Sequence, residues 1–302
     1  MKILVTGANG QLARSLADAD LPENWQIHAL ARPQIDLVIP ETISKSFDQV
    51  EPHLVINTAA YTDVNKAETE EELAHKINAV GAGNLAQVCE RHNVPLIHIS
   101  TDYVFDGGKK NPYKEDDPVA PTSAYGRTKL AGEQRVADAC DQHFILRTAW
   151  IYSPFGKNFV KTMLGLAATR DDINVVDDQF GNPTYALDLA NCIVAMGKQI
   201  FQNRREDIPW GIYHAAGTGD ANWYDVACEI FIQSKQLGGP TAQIHPISSR
   251  EYPGPAQRPA NSRLDCNKFD KYFGLRLPAW QASIAKCVGQ ICNDNTRTTD
   301  KL

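Results

Sequence analysis

The stretch that decides the fold is residues 2–13, which read KILVTGANGQLA. Its first residues form a short apolar run that predicts a buried strand. Gly7 and Gly10 follow directly, and a helical pattern comes after them. Glycine permits a tight turn and a close approach of the backbone to an anion, and the next helix directs its unpaired N–H groups and positive dipole end at that anion. The stretch predicts a strand–turn–helix unit that binds a dinucleotide pyrophosphate; an ordinary βα turn is the alternative.

The same alternation continues through the first half of the chain. Runs rich in Ile, Leu and Val predict strands buried on both faces, at Lys2 to Thr6, Gln26 to Ala31, Leu54 to Asn57, Pro95 to Ser100 and Phe144 to Trp150. Helical patterns lie between them, at Gln11 to Ala19, Glu41 to Gln49, Glu68 to His92 and Ser123 to Ala139. This order predicts an α/β fold of Rossmann type, a doubly wound parallel sheet with right-handed crossovers.

Beyond Tyr152 the pattern becomes irregular, and no linker-like stretch separates it from the first half. A helix over residues 156–169 and a strand over 173–176 precede glycine and proline breakers. We expect an NAD(P)-binding Rossmann domain over residues 1–152, completed by parts of 153–210. Residues 211–302 are expected to form a smaller, mainly substrate-binding region.

Composition excludes several classes of function. The chain has 302 residues, 43% of them hydrophobic and 22% charged, which is ordinary for a globular protein. No apolar run reaches the roughly 18 residues that span a bilayer, and the N-terminal run is too short for a signal peptide. A net charge of −6 argues against a nucleic-acid partner. Seven scattered cysteines without metal-ligand spacing fit a reduced protein. We therefore expect a cytoplasmic protein that binds neither membrane nor nucleic acid.

Residues after the second strand bear on the choice of dinucleotide. Arg32 lies where an acidic residue commonly binds the ribose 2′-hydroxyl. A guanidinium suits a 2′-phosphate, so Arg32 predicts NADPH, with a solvated surface arginine as the alternative. Asp36, four residues further on, is placed to reach the adenine side, which leaves NADH usable.

The sharpest chemical signal is Tyr125 followed by Lys129. Residues four apart on a helix share one face, and a nearby ammonium favours the tyrosinate and lowers the phenol pKa. Tyr125 could then protonate the alkoxide that forms as a hydride reaches a ketone, while Lys129 could bind the nicotinamide ribose. The fourth strand ends in Ser100, Thr101 and Asp102, at the edge of a parallel sheet where ligands bind. Ser100 and Thr101 compete as the hydroxyl that polarises the carbonyl oxygen.

Together these motifs resemble the extended short-chain dehydrogenase/reductase superfamily. The resemblance rests on GxxG at 7–10, STDYVFDG at 100–107 and YGxxK at 125–129. It is narrowed to reductases of nucleotide-linked 4-keto-6-deoxy sugars by NGQL at 9–12, AAYTDV at 59–64, DQFGNPT at 178–184 and RPANSRLD at 258–265. The resemblance covers residues 1 to about 290. It implies an NADPH-dependent oxidoreductase whose product is an activated deoxysugar for cell-surface polysaccharide.

The resemblance also implies roles for matching positions. Tyr125 would be the proton donor, Lys129 its partner and Thr101 the hydroxyl that tunes them. The implied cofactor contacts are Gly7, Gly10, Gln11 and Leu12 at the pyrophosphate, Asp36 and Leu37 at the adenine, and Ala60, Tyr61 and Thr62 beside the nicotinamide half. Asp102 and Trp150 would contact the sugar, whose apolar face can rest on an indole. Core packing is the alternative for Trp150.

Four further residues have two interpretations each. Arg258 and Arg263 are candidates for the substrate pyrophosphate, because a guanidinium can make paired bonds to phosphate oxygens; surface exposure is the alternative. Asn78 resembles the superfamily's relay asparagine, or it is a polar residue that packs its helix. Trp223 shapes the nucleotide pocket or fixes the start of its helix.

Metal binding, oligomeric state and two rival functions complete the expectations. Members of the family have been associated with Mg²⁺ held by acidic residues at a subunit interface. Here Ser15 stands where a carboxylate is expected, which weighs against Mg²⁺, and no metal site is predicted; a homodimer stays open. The rivals are an epimerase or reductase acting on another nucleotide sugar, and a non-catalytic regulatory subunit. Retention of both Tyr125 and Lys129 favours a catalyst over the regulatory subunit.

Overall fold

The secondary structure follows the predicted alternation in its first half. The structure is a computed structural model that describes the backbone of residues 1–299 and the side chains of residues 1–293. The strands are β1 (Lys2–Thr6), β2 (Gln26–Leu30), β3 (Leu54–Asn57), β4 (Leu96–Thr101), β5 (His143–Thr148), β6 (Ile151–Tyr152), β7 (Asp172–Val176), β8 (Phe180–Gly181), β9 (Thr184–Tyr185), β10 (Gly211–His214), β11 (Ala221–Asn222) and β12 (Gln243–Ile247). The α-helices are α1 (Gln11–Ala17), α2 (Pro40–Val50), α3 (Val64–Ala67), α4 (Glu71–His75), α5 (Ala82–His92), α6 (Ala124–Ala139), α7 (Phe159–Ala167), α8 (Ala186–Gln202), α9 (Trp223–Gln236), α10 (Asn267–Phe273) and α11 (Trp280–Thr299).

A parallel sheet forms the centre of the molecule and confirms the predicted Rossmann-type fold. Its strand order is β10-β5-β4-β3-β1-β2, and each neighbouring pair runs parallel. One face is covered by an apolar cluster shared with α1, α8 and α10, and the other by a cluster shared with α2, α5 and α6. The strand order reverses between β1 and β3. In such sheets ligands bind beyond the carboxyl ends of the strands at this switch point.

The turn between β1 and α1 requires glycine. Gly7 has a φ of +77°, and a Cβ at this position would lie 2.9 Å from Cα of Ala59. The turn therefore presses against the segment that follows β3. Gly10 is the N-cap of α1 and no side chain caps this end of the helix. The first-turn N–H groups of α1 are thus left available for an anion.

The second region is smaller and has its own apolar cluster. The parallel pair β7–β12 packs with α7, α9 and α11 around this cluster. Helix α9 starts with a capping box, in which Asn222 and Asp225 each accept a hydrogen bond from the other's backbone N–H. None of the described helices combines the length and the apolar character needed to cross a membrane.

The boundary expected at residue 211 does not coincide with the edge of the central sheet. Gly211–His214 pairs in parallel with β5 as an edge strand, and Tyr213 is buried in the core beneath the sheet. Helix α10 contributes Phe269 and Phe273 to the same core. A four-residue strand that begins at glycine carries little periodic signal, so the sequence pattern gave no indication of it. Residues 300–302 of the expected C-terminal region lie outside the described residues.

The single helix predicted over Glu68–His92 is wrong. The chain forms α4, a π-helical turn over Lys76–Gly81 and then α5. The π turn lies where α6 packs closest, because a Cβ on Gly132 would be only 2.1 Å from the carbonyl oxygen of Asn78. Such one-turn π segments within helices occur frequently at functional sites.

Candidate active site

The residues predicted to carry chemistry follow the carboxyl ends of the parallel strands, which meet at one edge of the sheet. Thr101 is the last residue of β4, and Asp102 begins the 3-10 turn that comes next. Tyr125 lies in the first turn of α6, which Ser123 caps by accepting a hydrogen bond from the N–H of Gly126. Lys129 lies one turn further along the same helix.

Thr101, and not Ser100, is the strand-end hydroxyl that contacts the tyrosine. The Thr101 hydroxyl hydrogen bonds the phenol of Tyr125 and also lies 3.0 Å from Oδ1 of Asp102. Ser100 meets the same helix further along, because its hydroxyl donates to Glu133, two turns beyond Tyr125, at 2.5 Å. Glu133 in turn forms a buried salt bridge with Arg147 at 2.7 Å. Both hydroxyls therefore contact α6, but at different turns, and Thr101 is the one that reaches the tyrosine.

The expectation that Lys129 lowers the pKa of Tyr125 is wrong for this structure. Burial raises the pKa of Tyr125 to about 12, although the hydrogen bond with Thr101 opposes the rise. The side-chain nitrogen of Lys129 instead contacts β4, because Nζ donates to the carbonyl of Ile99 at 2.7 Å and lies 3.3 Å from Nε2 of His98. Burial lowers the pKa of Lys129 to about 8, while the charge of Glu133 opposes the fall.

Asp102 is a buried carboxylate with an incomplete set of partners. The residue is 2% exposed, and its Oδ2 atom has no hydrogen-bond partner among the described residues. Burial raises the pKa of Asp102 to about 6, although hydrogen bonds with the Ser262 and Thr101 hydroxyls oppose the rise. A buried acceptor without a partner is costly, and a hydroxyl of a bound ligand would satisfy it.

The predicted pyrophosphate residues surround the start of α1. Gly7 and Gly10 form the turn, and Leu12 is buried in the core below it. The side chain of Gln11 is held by the loop after β6, since its Oε1 accepts hydrogen bonds from Ser153 and Asn158, each at 2.9 Å. Its Nε2 donates to the carbonyl of Ile151 at 3.5 Å, so the backbone N–H is the group that Gln11 can offer to a phosphate.

The predicted adenine side is a short segment after β2. Arg32 is exposed, and Asp36 uses one carboxylate oxygen to accept the N–H of Val38 at 3.0 Å. Leu37 is buried, and its carbonyl accepts a hydrogen bond from Asn84 at 2.9 Å. Helix α5 thus fixes the backbone of this segment, while Arg32 extends into solvent.

Asn78 fixes the segment predicted to flank the nicotinamide, which comprises Ala60, Tyr61 and Thr62. Its Oδ1 accepts the N–H of Tyr61 at 2.7 Å, and its Nδ2 donates to the Tyr61 carbonyl and to Thr128 Oγ1, both at 3.1 Å. The side chain of Asn78 therefore joins this segment to the helix that carries Tyr125. Tyr61 itself donates its hydroxyl to Glu70 at 2.6 Å, which raises the pKa of the phenol to about 12.

Two tryptophans form an aromatic wall between the two regions. Trp150 follows β5 in a left-handed conformation, with a φ of +46°, and is half-buried. Its ring stacks on that of Trp223 at 3.6 Å and 7°, and Phe159 packs against Trp223. Sequence reasoning left the role of Trp223 undecided. The pocket beside this stack is lined by residues of both regions, including Tyr152 and Pro183.

The two candidate arginines differ in their partners. Arg258 is half-buried, donates to Asn65 at 3.3 Å and hydrogen bonds the phenol of Tyr103, whose ring lies edge-on to Tyr125 at 5.7 Å. Arg263 is engaged at all three guanidinium nitrogens. It contacts Asn261, the Lys110 carbonyl and Asp220, the last as a salt bridge at 3.0 Å. Arg258 is thus connected to the tyrosine, whereas Arg263 ties loops together.

The side chains that commonly bind metals are dispersed in the described part of the chain. No group of three or more His, Cys, Asp or Glu side chains there is placed to hold a metal ion. Ser15 is buried at the inner side of α1.

A glycine turn at the switch point of a parallel sheet, with a tyrosine and a lysine on the helix after β4, is the arrangement of the extended short-chain dehydrogenases/reductases. Enzymes of this class bind NAD(P), and the chain is an NAD(P)-dependent oxidoreductase of this class. Residues 1–292 match the family described as RmlD substrate binding domain.

Sequence and structure comparisons narrow the class. The dTDP-4-dehydrorhamnose reductase of Sinorhizobium fredii is 44% identical over 288 residues, which cover 95% of this chain and 97% of the relative. The crystal structure of the Bacillus anthracis dTDP-4-dehydrorhamnose reductase in complex with NADP has a TM-score of 0.88 and 35% identity, covering 96% of this chain and 99% of that one. The crystal structure of the Clostridium acetobutylicum dTDP-4-dehydrorhamnose reductase has a TM-score of 0.87 and 38% identity, with the same coverage of both chains. The chain belongs to the dTDP-4-dehydrorhamnose reductase family.

Proposed function

We propose that this protein reduces the C4 keto group of dTDP-4-dehydro-6-deoxy-L-mannose (dTDP-4-dehydrorhamnose) to give dTDP-L-rhamnose. The observation that carries the proposal is the triad of Thr101, Asp102 and Tyr125 at the carboxyl edge of the sheet, in a chain whose full-length relatives bear the name of this reaction. The reaction would complete dTDP-rhamnose synthesis for cell-surface polysaccharide, in the cytoplasm.

The cofactor proposed is NADPH, which supplies the hydride when bound. The uncapped start of α1 and the glycine turn fit a pyrophosphate, because N–H groups and a Cβ-free backbone face the position of the anion. Arg32 fits a 2′-phosphate because it is exposed at the end of β2. The segments at Asp36 to Leu37 and at Ala60 to Thr62 would hold the adenine and nicotinamide halves.

The protein's own groups would complete the chemistry. Tyr125 would donate its phenol proton to the carbonyl oxygen as the oxygen gains charge, and Thr101 would hydrogen bond the resulting tyrosinate. Because burial raises the pKa of the phenol to about 12, the tyrosine is fully protonated before reaction and is ready to donate. Lys129 would bind the nicotinamide ribose.

Substrate recognition is proposed for three groups. The buried Oδ2 atom of Asp102 would accept a sugar hydroxyl, and Trp150, supported by Trp223, would cover the apolar face of the ring. Arg258 would bind the substrate pyrophosphate. Arg263 would act indirectly, by holding the loops at Lys110 and Asp220 around the site.

The proposal is tested by following NADPH absorbance with enzymatically prepared dTDP-4-dehydro-L-rhamnose. We expect wild-type turnover and a loss of about 10²–10⁴-fold in kcat for Tyr125→Phe, since the phenol proton is removed while the ring remains. Tyr272→Phe is the matched control, because this tyrosine is 50% exposed and its ring contacts Tyr213 in the core and none of the proposed site residues. It should keep wild-type turnover.

Two results would contradict the proposal. A folded wild-type protein that binds NADPH but does not oxidise it with this substrate would exclude the reaction. Equal turnover by Tyr125→Phe and Tyr272→Phe would remove Tyr125 as the proton donor while leaving the reaction in place.

A further inference from the structure

A chain of buried polar side chains crosses the central sheet and ends at Lys129. Thr6 on β1, Asn57 on β3, His98 on β4 and Lys129 on α6 are each at most 2% exposed. Thr6 Oγ1 donates to Asn57 Oδ1 at 2.6 Å, Asn57 Nδ2 lies 2.9 Å from His98 Nδ1, and His98 Nε2 lies 3.3 Å from Lys129 Nζ. Three adjacent strands are thus connected through side chains alone to the helix that carries Tyr125 and Lys129.

The direction of the hydrogen bonds is fixed at Asn57. The backbone N–H of Ala59 donates to Asn57 Oδ1 at 3.2 Å, and a backbone N–H can only donate. The atom it contacts must therefore be the amide oxygen, which places the amide nitrogen opposite His98. An amide nitrogen donates and does not accept, so Nδ1 of His98 must be the acceptor.

The tautomer of His98 follows from this contact. A neutral imidazole that accepts at Nδ1 carries its proton on Nε2. Burial lowers the pKa of His98 well below its usual value, and the charge of Lys129 adds to the effect, so the ring is neutral. The Nε2–H group therefore points at the nitrogen of Lys129. An ammonium has three donors and no acceptor, whereas a neutral amine has a lone pair.

We propose that His98 is a positioning residue for Lys129: fixed in its Nε2–H tautomer by Asn57, it presents a donor to the lysine nitrogen and favours the neutral amine over the ammonium. The carbonyl of Ile99 holds the same nitrogen at 2.7 Å by accepting from it, and a neutral amine still satisfies this bond. The role in catalysis rests on the proposed function, in which Lys129 serves the reaction; the hydrogen-bond direction does not.

The charged groups around Lys129 are compatible with an effect of His98 on its protonation state. Glu133, on the same helix, favours the ammonium, but its carboxylate is engaged by Arg147 of β5 and by Ser100 of β4. His143 of β5 acts on His98 and lowers its pKa further. The lowered pKa of Lys129, about 8, agrees with a lysine whose two protonation states are close in free energy near neutral pH.

The first test is direct and needs no substrate. In protein labelled with [¹⁵N]histidine, we expect the His98 ring to show the nitrogen chemical shifts of the Nε2–H tautomer at neutral pH, with the signal assigned by its loss in His98→Gln. The Nδ1–H tautomer, or an imidazolium, would overturn the proposal. Because this result is independent of activity, it stands or falls separately from the proposed reaction.

The second test reverses the tautomer. In Asn57→Asp a carboxylate replaces the amide donor, so His98 should become Nδ1–H and its Nε2 should accept from the Lys129 ammonium. The NMR titration of Lys129 should then move to higher pH by about one unit or more, and the alkaline limb of the kcat/KM–pH profile should move with it.

A double variant separates the tautomer from the new charge. Asn57→Asp in a His98→Leu background keeps the carboxylate but removes the ring that transmits the change. If the shift is smaller in this background, the ring carries it; an equal shift in both backgrounds would show that charge alone acts and would overturn the proposal. His98→Gln, which keeps an N–H donor, should retain a Lys129 titration close to that of the wild type.

Discussion

The buried carboxylate of Asp102 lowers the stability of the fold and provides an acceptor for a ligand. Its carboxylate is buried beside Thr101, one oxygen has no partner among the described residues, and burial raises its pKa from 3.8 to about 6. The native state therefore binds the Asp102 proton more tightly than the unfolded state does. The free energy of unfolding falls as pH rises from about 4 to 6, while Asp102 loses its proton. Above pH 6 the ionised carboxylate lowers the free energy of unfolding by about 3 kcal/mol, the value that corresponds to the shift of its pKa.

Replacing this carboxylate should therefore stabilise the fold but weaken substrate binding. We expect Asp102→Asn to increase the free energy of unfolding by about 1–3 kcal/mol at pH 7, because a neutral amide avoids most of the desolvation cost. The gain should disappear below pH 4, where the carboxyl group is protonated in both states. Urea unfolding at the two pH values measures both effects, and KM for the nucleotide sugar should rise. A gain that is the same at both pH values would contradict the electrostatic explanation.

Sequence could identify the reacting residues but not their partners. Tyr125 and Lys129 were predicted from their spacing, and Thr101 and Asp102 from their place at the end of the fourth strand. The structure connects Tyr125 to Thr101 and Thr101 to Asp102 by hydrogen bonds. The contact of Lys129 with His98 was missed, because a lone histidine inside an apolar strand usually indicates a satisfied core residue. Which of Ser100 and Thr101 contacts Tyr125 depends on the turn of α6 that each hydroxyl meets, and only the packed structure determines that.

At the level of elements, the π turn and α6 hold the site together. The carbonyl of Asn78 lies against Gly132, and the Asn78 side chain connects Tyr61 to Thr128 on α6. The position of the Tyr–Lys helix relative to the segment after β3 is therefore set by a close backbone contact that allows no side chain at residue 132.

A methyl group at this contact should disturb both stability and activity. In Gly132→Ala the new Cβ would lie 2.1 Å from a backbone oxygen, so the helices must separate, at a cost of about 1–3 kcal/mol. Gly165→Ala is the matched control, because Gly165 lies in α7 and a Cβ added there would meet no atom within 4 Å. The control should be neutral or slightly more stable, since alanine favours helix. Thermal unfolding and kcat measure the pair, and equal effects of the two substitutions would contradict the role of the contact.

The strands were predicted more accurately than the helix expected over Glu68–His92. The bounds of β1 and β3 agree with those expected from the apolar runs, because a strand buried on both faces has an unbroken apolar sequence. The break between α4 and α5 depends on the approach of α6, which is distant in sequence. Similarly, β5 ends before Trp150 because the chain turns into a left-handed conformation there, and tryptophan does not indicate such a turn.

At the scale of the whole molecule, the site lies where the two regions meet. The central sheet supplies Thr101, and α6 supplies Tyr125, while the second region supplies Trp223 against Trp150. Gln11, at the start of α1, is bonded to Ser153 and Asn158 of the chain that leads into the second region. The proposed cofactor and sugar sites are thus connected by direct hydrogen bonds and by aromatic stacking.

This arrangement explains why the expected division at residue 211 describes the chain only in part. Strand β10 and helix α10 return to the central sheet after the chain has entered the second region. We propose the first domain as the sheet with its two helical layers, including these returning elements, and the substrate region as the cluster of α7, α9 and α11 with β7 and β12.

The proposed reduction is tested most directly by the transfer of deuterium from C4-labelled NADPH to the sugar. We expect the product dTDP-L-rhamnose to carry one deuterium at C4 of the hexose, detected by NMR and mass spectrometry, with one NADPH consumed for each sugar formed. A changed sugar without deuterium and without net NADPH oxidation would show a redox-neutral epimerase instead and would contradict the proposed reduction.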